Sequence, residues 1–571
     1  MRKTVATFLC VLSLLSCGRR SASGPETNAR PDGGFVTEYL TPTRIVCVDG
    51  IVDGAVRLLK PYAGQVSTTE PDVAVFTAGS SVLLDFGKEL QGGIQIVRAM
   101  SGDKKAARFR LCLGESVSEA LSDVNAPGST ATNDHSVRDF EISVPWLGVV
   151  EYGNSGFRFA RLELLEGEVA LVAVRAISRY RDLPYLGSFR CNDARLDRIW
   201  QTGAYTVHLN MQEYLWDGIK RDRLVWIGDM HPEVMTVGAV FGDQAVVRKS
   251  LDYVRDGTPA DRWMNGICAY SLWWILIQHQ LYVWYGDRSY LEEQHAYLSD
   301  LLHHVMTQMD GEREAYQGHR FIDWPTNDRP DVIHAGLQAL SVLALEAGAE
   351  MALWLGDEAL RAECAAVAER LHGYVPDPVG SSQAAALLSL SGLLEAGQAA
   401  RIILDNGPES FTSFFGYYML EALARAGHYA EAMQMISDYW GGMLDLGATT
   451  FWEDFNYKDA RNAARIDEIV PEGKFDIHAD GGAWCYVGLR HSFCHGWASG
   501  PTAWLSRHVL GIEPVGVGFH QVRIDPHLGD LEWAEGSFPT PYGVIEVRHR
   551  KAQDGSVTSS VKLPKGIRRV Q

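Results

Sequence analysis

The thirteen residues 217–229, DGIKRDRLVWIGD, bring carboxylates, basic side chains and tryptophan together in one short segment. Asp222 lies between two arginines, and Asp217 and Asp229 stand at the two ends. A sugar ligand requires directional acceptors for its hydroxyls, an aromatic face for its C–H surface and, if it is to be cleaved, a pair of carboxyl groups. The segment therefore indicates a carbohydrate site. The alternative is a solvated loop whose opposite charges only pair with each other.

Two further polar-aromatic segments follow downstream. One is GATTFWE, residues 447–453, which ends on Glu453, and the other is SFCHGWASGP, residues 492–501, which contains His495 and Trp497. The aromatic approach to Glu453 favours a lined cleft over a surface position. His495 either donates to a sugar hydroxyl or orients Glu453, and a purely structural histidine is the alternative.

The three segments, in this order and at this spacing, resemble the bacterial α-L-rhamnosidases of glycoside hydrolase family 78. That family reads Asp-x-x-x-Arg-Glu-Arg-x-x-Trp-x-Gly-Asp where this chain has residues 217–229, and Gly-x-Thr-Thr-x-Trp-Glu where it has residues 447–453. The resemblance implies that Asp222 is the general acid and Glu453 the general base of an inverting hydrolysis. Asp222 is one methylene shorter than the family's Glu, which changes the reach of the acid.

The resemblance also predicts which side chains hold the sugar. Acidic side chains would accept hydrogen bonds from hydroxyls, and aromatic rings would pack on the sugar ring and on the 6-methyl group of rhamnose. The substrate-binding residues predicted in this way are Asp217, Arg221, Trp226, Asp229, Asp323, Trp324, Trp452, His495 and Trp497. The two arginines beside Asp222 favour its ionised form, so an acid role requires burial or a neighbouring carboxylate to oppose them.

The spacing of apolar residues changes twice along the chain. Short alternating segments such as residues 81–86 and 157–164 are typical of strands, helical periodicity then recurs for about three hundred residues, and alternation returns after Gly511. The predicted fold is therefore multidomain. The resemblance implies an all-α (α/α)6 toroid as the catalytic domain, flanked by N-terminal and C-terminal β-sandwich domains. The predicted domains are a lipoprotein signal peptide (1–17), a tether (18–34), a β-sandwich (35–185), the catalytic barrel (186–510) and a C-terminal β-domain (511–571).

Composition excludes several classes of function. A chain of 571 residues with 46% hydrophobic and 22% charged residues is long enough for two to four globular domains. Its formal net charge of −19 argues against nucleic-acid binding. The cysteines outside the leader are far apart and form no Cys-x-x-Cys pair, and no phosphate-binding glycine loop is present, so we expect neither a metal nor a cofactor.

The first residues are typical of an exported protein. Arg2 and Lys3 precede an apolar run over residues 5–15, and Ser16 and Cys17 follow. This ending resembles the bacterial lipobox, in which the cysteine is lipidated. The expected location is the bacterial cell envelope, on the periplasmic side or at the cell surface, with Cys17 as the lipid anchor and no other contact with the membrane. Plain secretion is the alternative.

The function that the resemblance implies is hydrolysis of terminal non-reducing α-L-rhamnose from glycosides or from pectic and other glycans. The expected partner is thus a rhamnose-containing oligosaccharide or glycoside. One alternative is another glycosidase or a uronyl-acting enzyme on the same helical toroid, which for a uronide would need an unpaired Arg or Lys. The other is a non-catalytic glycan-binding lipoprotein, in which Asp222 and Glu453 could be replaced with little effect.

Overall fold

The structure is a computed structural model that describes residues 34–62, 72–100, 104–146, 148–482 and 484–570. The predicted signal peptide, Cys17 and the tether up to residue 33 lie outside the described residues. Within them, β-strands come first, helices follow, and strands return at the end. The predicted order of a helical domain between two β-sheet domains is confirmed at this level.

The N-terminal strands form a nine-stranded antiparallel sheet in the order β3-β4-β9-β5-β8-β6-β7, with β1 paired to β9 and β2 paired to β5. The long strand β5 pairs with β2 along its first part and with β9 along its second, while β8 runs along its other edge. One short helix, α1 (Val117–Leu121), follows β6. The strands are β1 (Phe35–Leu40), β2 (Arg44–Asp49), β3 (Val52–Asp53), β4 (Ala74–Thr77), β5 (Ser81–Arg98), β6 (Ala107–Gly114), β7 (Asp139–Val144), β8 (Gly148–Leu164) and β9 (Glu168–Arg181).

Strand β8 passes directly against the segment that carries Asp222. The amide of Gly156 donates to the carbonyl of Ile219 at 3.0 Å. A Cβ atom at Gly156 would lie 2.8 Å from the backbone nitrogen of Lys220, so only glycine permits this approach. The N-terminal sheet thus forms one wall for the predicted site segment.

Twelve helices make up most of the middle of the described chain. Their junctions follow local capping rules: Gly286 ends one helix at φ 63°, and the side chain of Asp287 accepts from the amide of Tyr290 to begin the next. The helices are α2 (Ala194–Asn210), α3 (Ile227–Phe241), α4 (Ala245–Gly257), α5 (Cys268–Tyr285), α6 (Arg288–Thr307), α7 (Pro330–Leu355), α8 (Glu358–Leu371), α9 (Ser382–Leu390), α10 (Ala396–Asn406), α11 (Gly416–Arg425), α12 (Tyr429–Asp445) and α13 (Gly500–Trp504).

The helices pack in series. Helix α2 contacts α3, and the contacts continue through α5, α7, α9 and α11 to α13, which packs back against α2. Helix α7 has the length and mean hydropathy, 1.4, of a membrane-spanning helix, but 78% of that stretch is buried inside the protein. Because it packs against α5, α8 and α9, its apolar surface is accounted for as core.

The C-terminal strands form two small sheets. Strands β15, β16 and β17 are joined by β10, which precedes α2 in sequence, and β13, β14 and β18 form the other sheet. Two short strands between α6 and α7, β11 (Met309–Asp310) and β12 (Arg313–Glu314), make a separate hairpin. The remaining strands are β10 (Ser188–Cys191), β13 (Ile512–Pro514), β14 (Gln521–Ile524), β15 (Trp533–Thr540), β16 (Gly543–Lys551), β17 (Val557–Lys562) and β18 (Arg568–Val570).

Candidate active site

The segment 217–229 is an irregular loop that runs into α3 at Ile227, and Asp217 shapes it. One oxygen of Asp217 accepts from the amide of Asp222 at 3.1 Å and the other from the amide of Leu224 at 2.9 Å. The carbonyl of Asp217 also accepts from the amide of Gly496 at 2.7 Å. The segments 217–229 and 492–501 are therefore joined by a backbone hydrogen bond. Asp217, which was predicted to bind sugar, holds the loop that carries the predicted acid, Asp222.

Arg221 contacts both predicted catalytic carboxylates. Its Nη2 donates to Oε1 of Glu453 at 2.9 Å, and its Nη1 lies 3.3 Å from Oδ1 of Asp222. The guanidinium is buried, and its face lies 3.4 Å from the ring centre of Tyr486. Because one planar guanidinium contacts both groups, their nearest oxygens are no more than about 9 Å apart. Arg221 thus brings together two carboxyl groups that are distant in sequence.

Glu453 is buried and receives donors on both oxygens. Besides Arg221, the thiol of Cys485 donates to Oε1 at 3.0 Å, and the amide of Ser492 donates to Oε2 at 2.8 Å. Burial alone would raise the pKa of Glu453, but Arg221, His495 and these hydrogen bonds outweigh it and lower the pKa to about 2. Glu453 is therefore an ionised carboxylate at neutral pH.

Asp222 is largely buried, with 12% of its side chain exposed. Its Oδ2 accepts from the indole nitrogen of Trp226 at 3.2 Å. The second flanking arginine, Arg223, points elsewhere: its guanidinium donates to the carbonyl of Asn154 at 2.9 Å and stacks on Trp216. Only one of the two arginines that the sequence places beside Asp222 therefore contacts its carboxyl group.

A small cavity opens beside Glu453. Of the predicted substrate-binding residues, Asp323, Trp324 and Trp497 line it. Asp323 accepts from Thr412 and Gln383, yet burial dominates and raises its pKa to about 7. The lining residues are Asp323, Trp324, Pro325, Thr412, Ser413, Phe414, Glu453, Asp454, Trp484, Cys485 and Trp497.

His495 lies between three acidic side chains, those of Asp217, Asp229 and Glu453. Its Nε2 is 3.7 Å from Asp217 and 3.9 Å from both Asp229 and Glu453. Burial lowers the pKa of His495 to about 4, so the ring is neutral at neutral pH. Asp229 accepts from the hydroxyl of Tyr270 at 3.0 Å, and burial, followed by the charge of Glu453, raises its pKa well above the usual range.

Two of the tryptophans that were predicted to pack on the sugar ring do not line the cavity. Trp452 is 1% exposed and stacks on Phe493 with ring centres 4.2 Å apart, which places it in the core. Trp226 is half-buried and uses its indole nitrogen as a donor to Asp222. Trp497 combines both surroundings, because it lines the cavity and also stacks on Phe414 at 4.9 Å.

The structure adds side chains that the sequence motifs did not indicate. Asp454 is buried beside the cavity, and burial raises its pKa to about 6. Trp484 lines the cavity while 48% of the residue is exposed, and Cys485 donates to Glu453. The adjacency of Asp454 to Glu453 is a signal in the sequence, whereas Trp484 and Cys485 lie in no recognised motif.

Lys220 links the loop 217–229 to the N-terminal domain. Its buried ammonium lies 3.1 Å from Glu115 and 3.0 Å from Glu119, and it donates to the carbonyl of Leu489 at 3.0 Å. Glu115, Glu119 and His478 are close enough together to ligate a metal ion, but here an ammonium group lies among them. Burial lowers the pKa of Lys220 to about 7. The contacts of Lys220 thus fix the backbone directly before Arg221.

Two family models match the chain. Residues 184–375 match the bacterial α-L-rhamnosidase six-hairpin glycosidase domain, and residues 511–569 match the bacterial α-L-rhamnosidase C-terminal domain. An α-L-rhamnosidase of Streptomyces avermitilis is 24% identical over 546 residues, covering 89% of this chain and 49% of the relative. This chain thus spans about half the length of that relative.

Solved structures share the fold. The family 78 rhamnosidase of Bacillus sp. GL1 superposes with a TM-score of 0.71 at 20% identity, covering 91% of this chain and 55% of that one. A Klebsiella oxytoca rhamnosidase with rhamnose bound superposes with a TM-score of 0.67 at 19% identity, covering 83% of this chain and 96% of that one.

Proposed function

Because the chain contains the six-hairpin glycosidase domain and the C-terminal domain of the bacterial α-L-rhamnosidases, we propose that it removes terminal α-L-rhamnose from glycosides or glycans by hydrolysis with inversion. The resemblance based on three sequence motifs is confirmed at the level of the family. The substrate, the stereochemistry and the residue roles are our proposal.

One observation carries the proposal: the guanidinium of Arg221 contacts both Asp222 and Glu453. Inversion requires two carboxyl groups about 6.5–9.5 Å apart, with room for the sugar and a water molecule between them. The limit of about 9 Å that the shared guanidinium imposes is compatible with that range. Asp222 and Glu453 are therefore assigned as the catalytic pair.

Glu453 fits the role of general base. A base must be ionised before the reaction, and the contacts of Glu453 lower its pKa to about 2. Arg221 and Cys485 both lie on Oε1, and Oε2 accepts from the amide of Ser492, so the carboxylate is held in one orientation. It would take a proton from the water that attacks the anomeric carbon.

Asp222 fits the role of general acid. Trp226 donates to one oxygen, Arg223 is directed away, and Asp217 and Asp229 place further carboxyl groups around the same loop. In this role Asp222 would give a proton to the glycosidic oxygen as the bond breaks.

The cavity supports a neutral sugar. Among the described residues that line it, none is Arg or Lys, and Arg221 is engaged by two carboxylates, so no unpaired cation is offered to a uronate. Asp323 and Asp454 present carboxyl groups whose pKa is raised to about 7 and about 6, able to bond hydroxyls. Trp324, Trp497 and Phe414 offer apolar surface to the ring and the methyl group.

The helical contacts support the toroid that the resemblance implies. The series α3, α5, α7, α9, α11 and α13 returns to α3, which is the sequence of contacts that an inner ring of six helices requires. The cavity lies where the loops that precede α7, α11 and α13 meet. We likewise propose that the N-terminal strands form a sandwich, since β5 pairs with different partners along its two parts.

Release of free rhamnose tests the proposal. The purified protein is incubated with nitrophenyl α-L-rhamnoside, a panel of natural rhamnosides including pectic oligosaccharides, and nitrophenyl uronides. We expect free rhamnose from the rhamnosides, no product from the uronides, and release slowed by about 10²–10⁴-fold in Glu453→Gln. Cleavage of a uronide without cleavage of any rhamnoside would contradict the proposal, and binding without turnover would favour a glycan-binding role.

We also propose that Cys17 carries a lipid anchor in the cell envelope, on the basis of the residues that precede it. Cys17→Ala should move the protein from the membrane fraction to the soluble fraction, because a lipid chain is the expected attachment. Cys10→Ala, within the same leader, is the matched control and should leave fractionation unchanged. Retention of Cys17→Ala in the membrane fraction would exclude this anchor.

A further inference from the structure

A histidine of the N-terminal β-domain reaches the predicted acid. His135 lies in the irregular segment between α1 and β7, and its Nε2 is 3.4 Å from Oδ1 of Asp222. Its side chain is 29% exposed, so one side of the ring faces solvent while the other faces Asp222. None of the three sequence motifs contains this residue.

The segment holds His135 in an unusual conformation. The φ angle of His135 is 61°, in the left-handed region that costs a side chain other than glycine energy. Contacts on both sides fix it there: Asp134 pairs with Arg490 at 2.6 Å, and the hydroxyl of Ser136 donates to the carbonyl of Asn154 at 3.2 Å. The imidazole is thus held against Asp222 by a built loop.

Among the described residues, two basic side chains, those of His135 and Arg221, lie near Oδ1 of Asp222. Oδ1 of Asp222 is buried without a hydrogen-bond partner, whereas Oδ2 accepts from Trp226. The other group near Oδ1 is Arg221 at 3.3 Å, and a guanidinium does not release its proton at neutral pH. An imidazole exchanges protons readily between about pH 5 and 8.

We propose that His135 is a positioning residue that returns a proton from solvent to Asp222 after each turnover. The inference rests on the proposed function, since it concerns the acid of that reaction. It assigns to the N-terminal domain a part in the chemistry of the helical domain.

The protons balance over one cycle. Cleavage moves the proton of Asp222 to the leaving oxygen and a proton of the attacking water to Glu453, which later releases it to solvent. The imidazolium of His135 then gives its proton to the Asp222 carboxylate and takes another from water on its exposed side. No co-reactant other than water is needed.

Several charged groups lie around His135. Asp134, on the same loop, lies 3.6 Å from Nε2, and Asp222 lies on the opposite element. Arg490 pairs with Asp134, and Arg221 stands behind Asp222. The ring of Tyr486 lies between these two guanidinium groups, 3.4 Å from Arg221 and 4.7 Å from Arg490.

His135→Asn tests the proposal, because asparagine tolerates the left-handed conformation but cannot relay a proton. Reloading follows cleavage, so its loss should lower kcat and KM together and leave kcat/KM within about twofold. We expect kcat on a natural rhamnoside to fall by about tenfold or more, the lower end for proton-transfer groups. Free imidazole in the buffer should restore kcat, and a nitrophenyl rhamnoside should be spared.

Asn133→Ala is the matched control. Asn133 holds the same loop by accepting from the amides of Arg138 and Asp139, both at 3.0 Å, without contacting Asp222. Any loss in this variant should be equal for both substrates and should not respond to imidazole. Four results for His135→Asn would each overturn the inference while leaving the proposed function standing. They are a fall in kcat/KM, an equal loss on both substrates, an unchanged kcat, and no rescue by imidazole. Failure of the unaltered protein to release rhamnose would overturn both.

Discussion

Two groups of charged side chains, one of them buried, differ in the balance between acids and bases. Around the proposed catalytic pair, five carboxyl groups surround one arginine, Arg221. The carboxyl groups are those of Asp217, Asp222, Asp229, Glu233 and Glu453. At the Glu421 cluster, named for its central residue, acids and bases are nearly equal in number: Glu421, Glu513, Arg507, Arg523 and His508. The balanced group is explained by stability alone, whereas the unbalanced group indicates a site whose function opposes stability.

Individual carboxyl groups show the contrast. Burial alone would raise the pKa of Glu421, but His508 at 3.0 Å and Arg507 at 3.2 Å outweigh it and lower the pKa to about 2. Glu233, on α3, is fully buried, neither of its oxygens has a hydrogen-bond partner, and burial raises its pKa well above the usual range. Glu421 is ionised at neutral pH, whereas burial favours the protonated form of Glu233.

Replacement of the proposed base should have the largest effect. Glu453→Gln removes the group that takes a proton from water, a step that every substrate requires. We expect rates to fall by about 10²–10⁴-fold on natural and nitrophenyl rhamnosides alike. Steady-state kinetics on both substrates measures this, with Glu421→Gln as the control that changes an equally buried glutamate outside the pocket. A loss confined to natural substrates would be inconsistent with a base.

Replacement of the proposed acid should discriminate between substrates. Asp222→Asn should slow natural sugar leaving groups by about 10²–10⁴-fold, while a nitrophenyl rhamnoside, whose leaving group needs no proton, is spared considerably more. The ratio of the two rate losses is the measurement. Equal losses on both substrates would exclude Asp222 as the acid even if rhamnose is released.

Glu421→Gln should affect stability and leave activity unchanged. Since the pKa of Glu421 is lowered, its contribution is present above about pH 4.5 and is lost as the pH falls towards 2. The shift corresponds to at most ~3 kcal/mol. Denaturant unfolding at pH 7 and at pH 3 should show a clearly larger difference from the unaltered protein at the higher pH. A similar difference at both would contradict the assigned charge.

Glu233→Gln should have the smallest effect, with the opposite dependence on pH. A raised pKa means that the folded state keeps a proton that the unfolded state loses, so ionisation opposes folding increasingly above about pH 4.5. Gln is neutral and nearly the same size, so the variant should be at least as stable as the unaltered protein at pH 8. A loss of stability that grows with pH would show that Glu233 is ionised in the folded protein.

The sequence predicts what local chemistry determines. At residues 286–287 and 356–357, a glycine ends one helix and the following aspartate begins the next. Capping depends on residues a few positions apart, so it can be read directly from the chain. Asp222 and Glu453 were found in the same way, from motifs short enough to recognise.

The contacts that govern the site span long distances in sequence and could not be predicted. The ordering of Glu453 by Cys485 and Ser492, and the approach of His135 to Asp222, depend on loops from different parts of the chain. Trp452 illustrates the converse, since its place in a motif suggested a sugar platform and the structure buries it against Phe493. A motif identifies residues near a site without specifying which way each side chain faces.

The anomer released first tests the central claim most directly. Proton NMR of the unaltered protein acting on an α-L-rhamnoside, recorded before mutarotation, reports on which face water attacks. We predict β-rhamnose as the first product, because Glu453 would activate water on the face opposite the leaving group while Asp222 protonates the glycosidic oxygen. First appearance of α-rhamnose would contradict direct attack by water and the assignment of this pair of carboxyl groups to an inverting reaction.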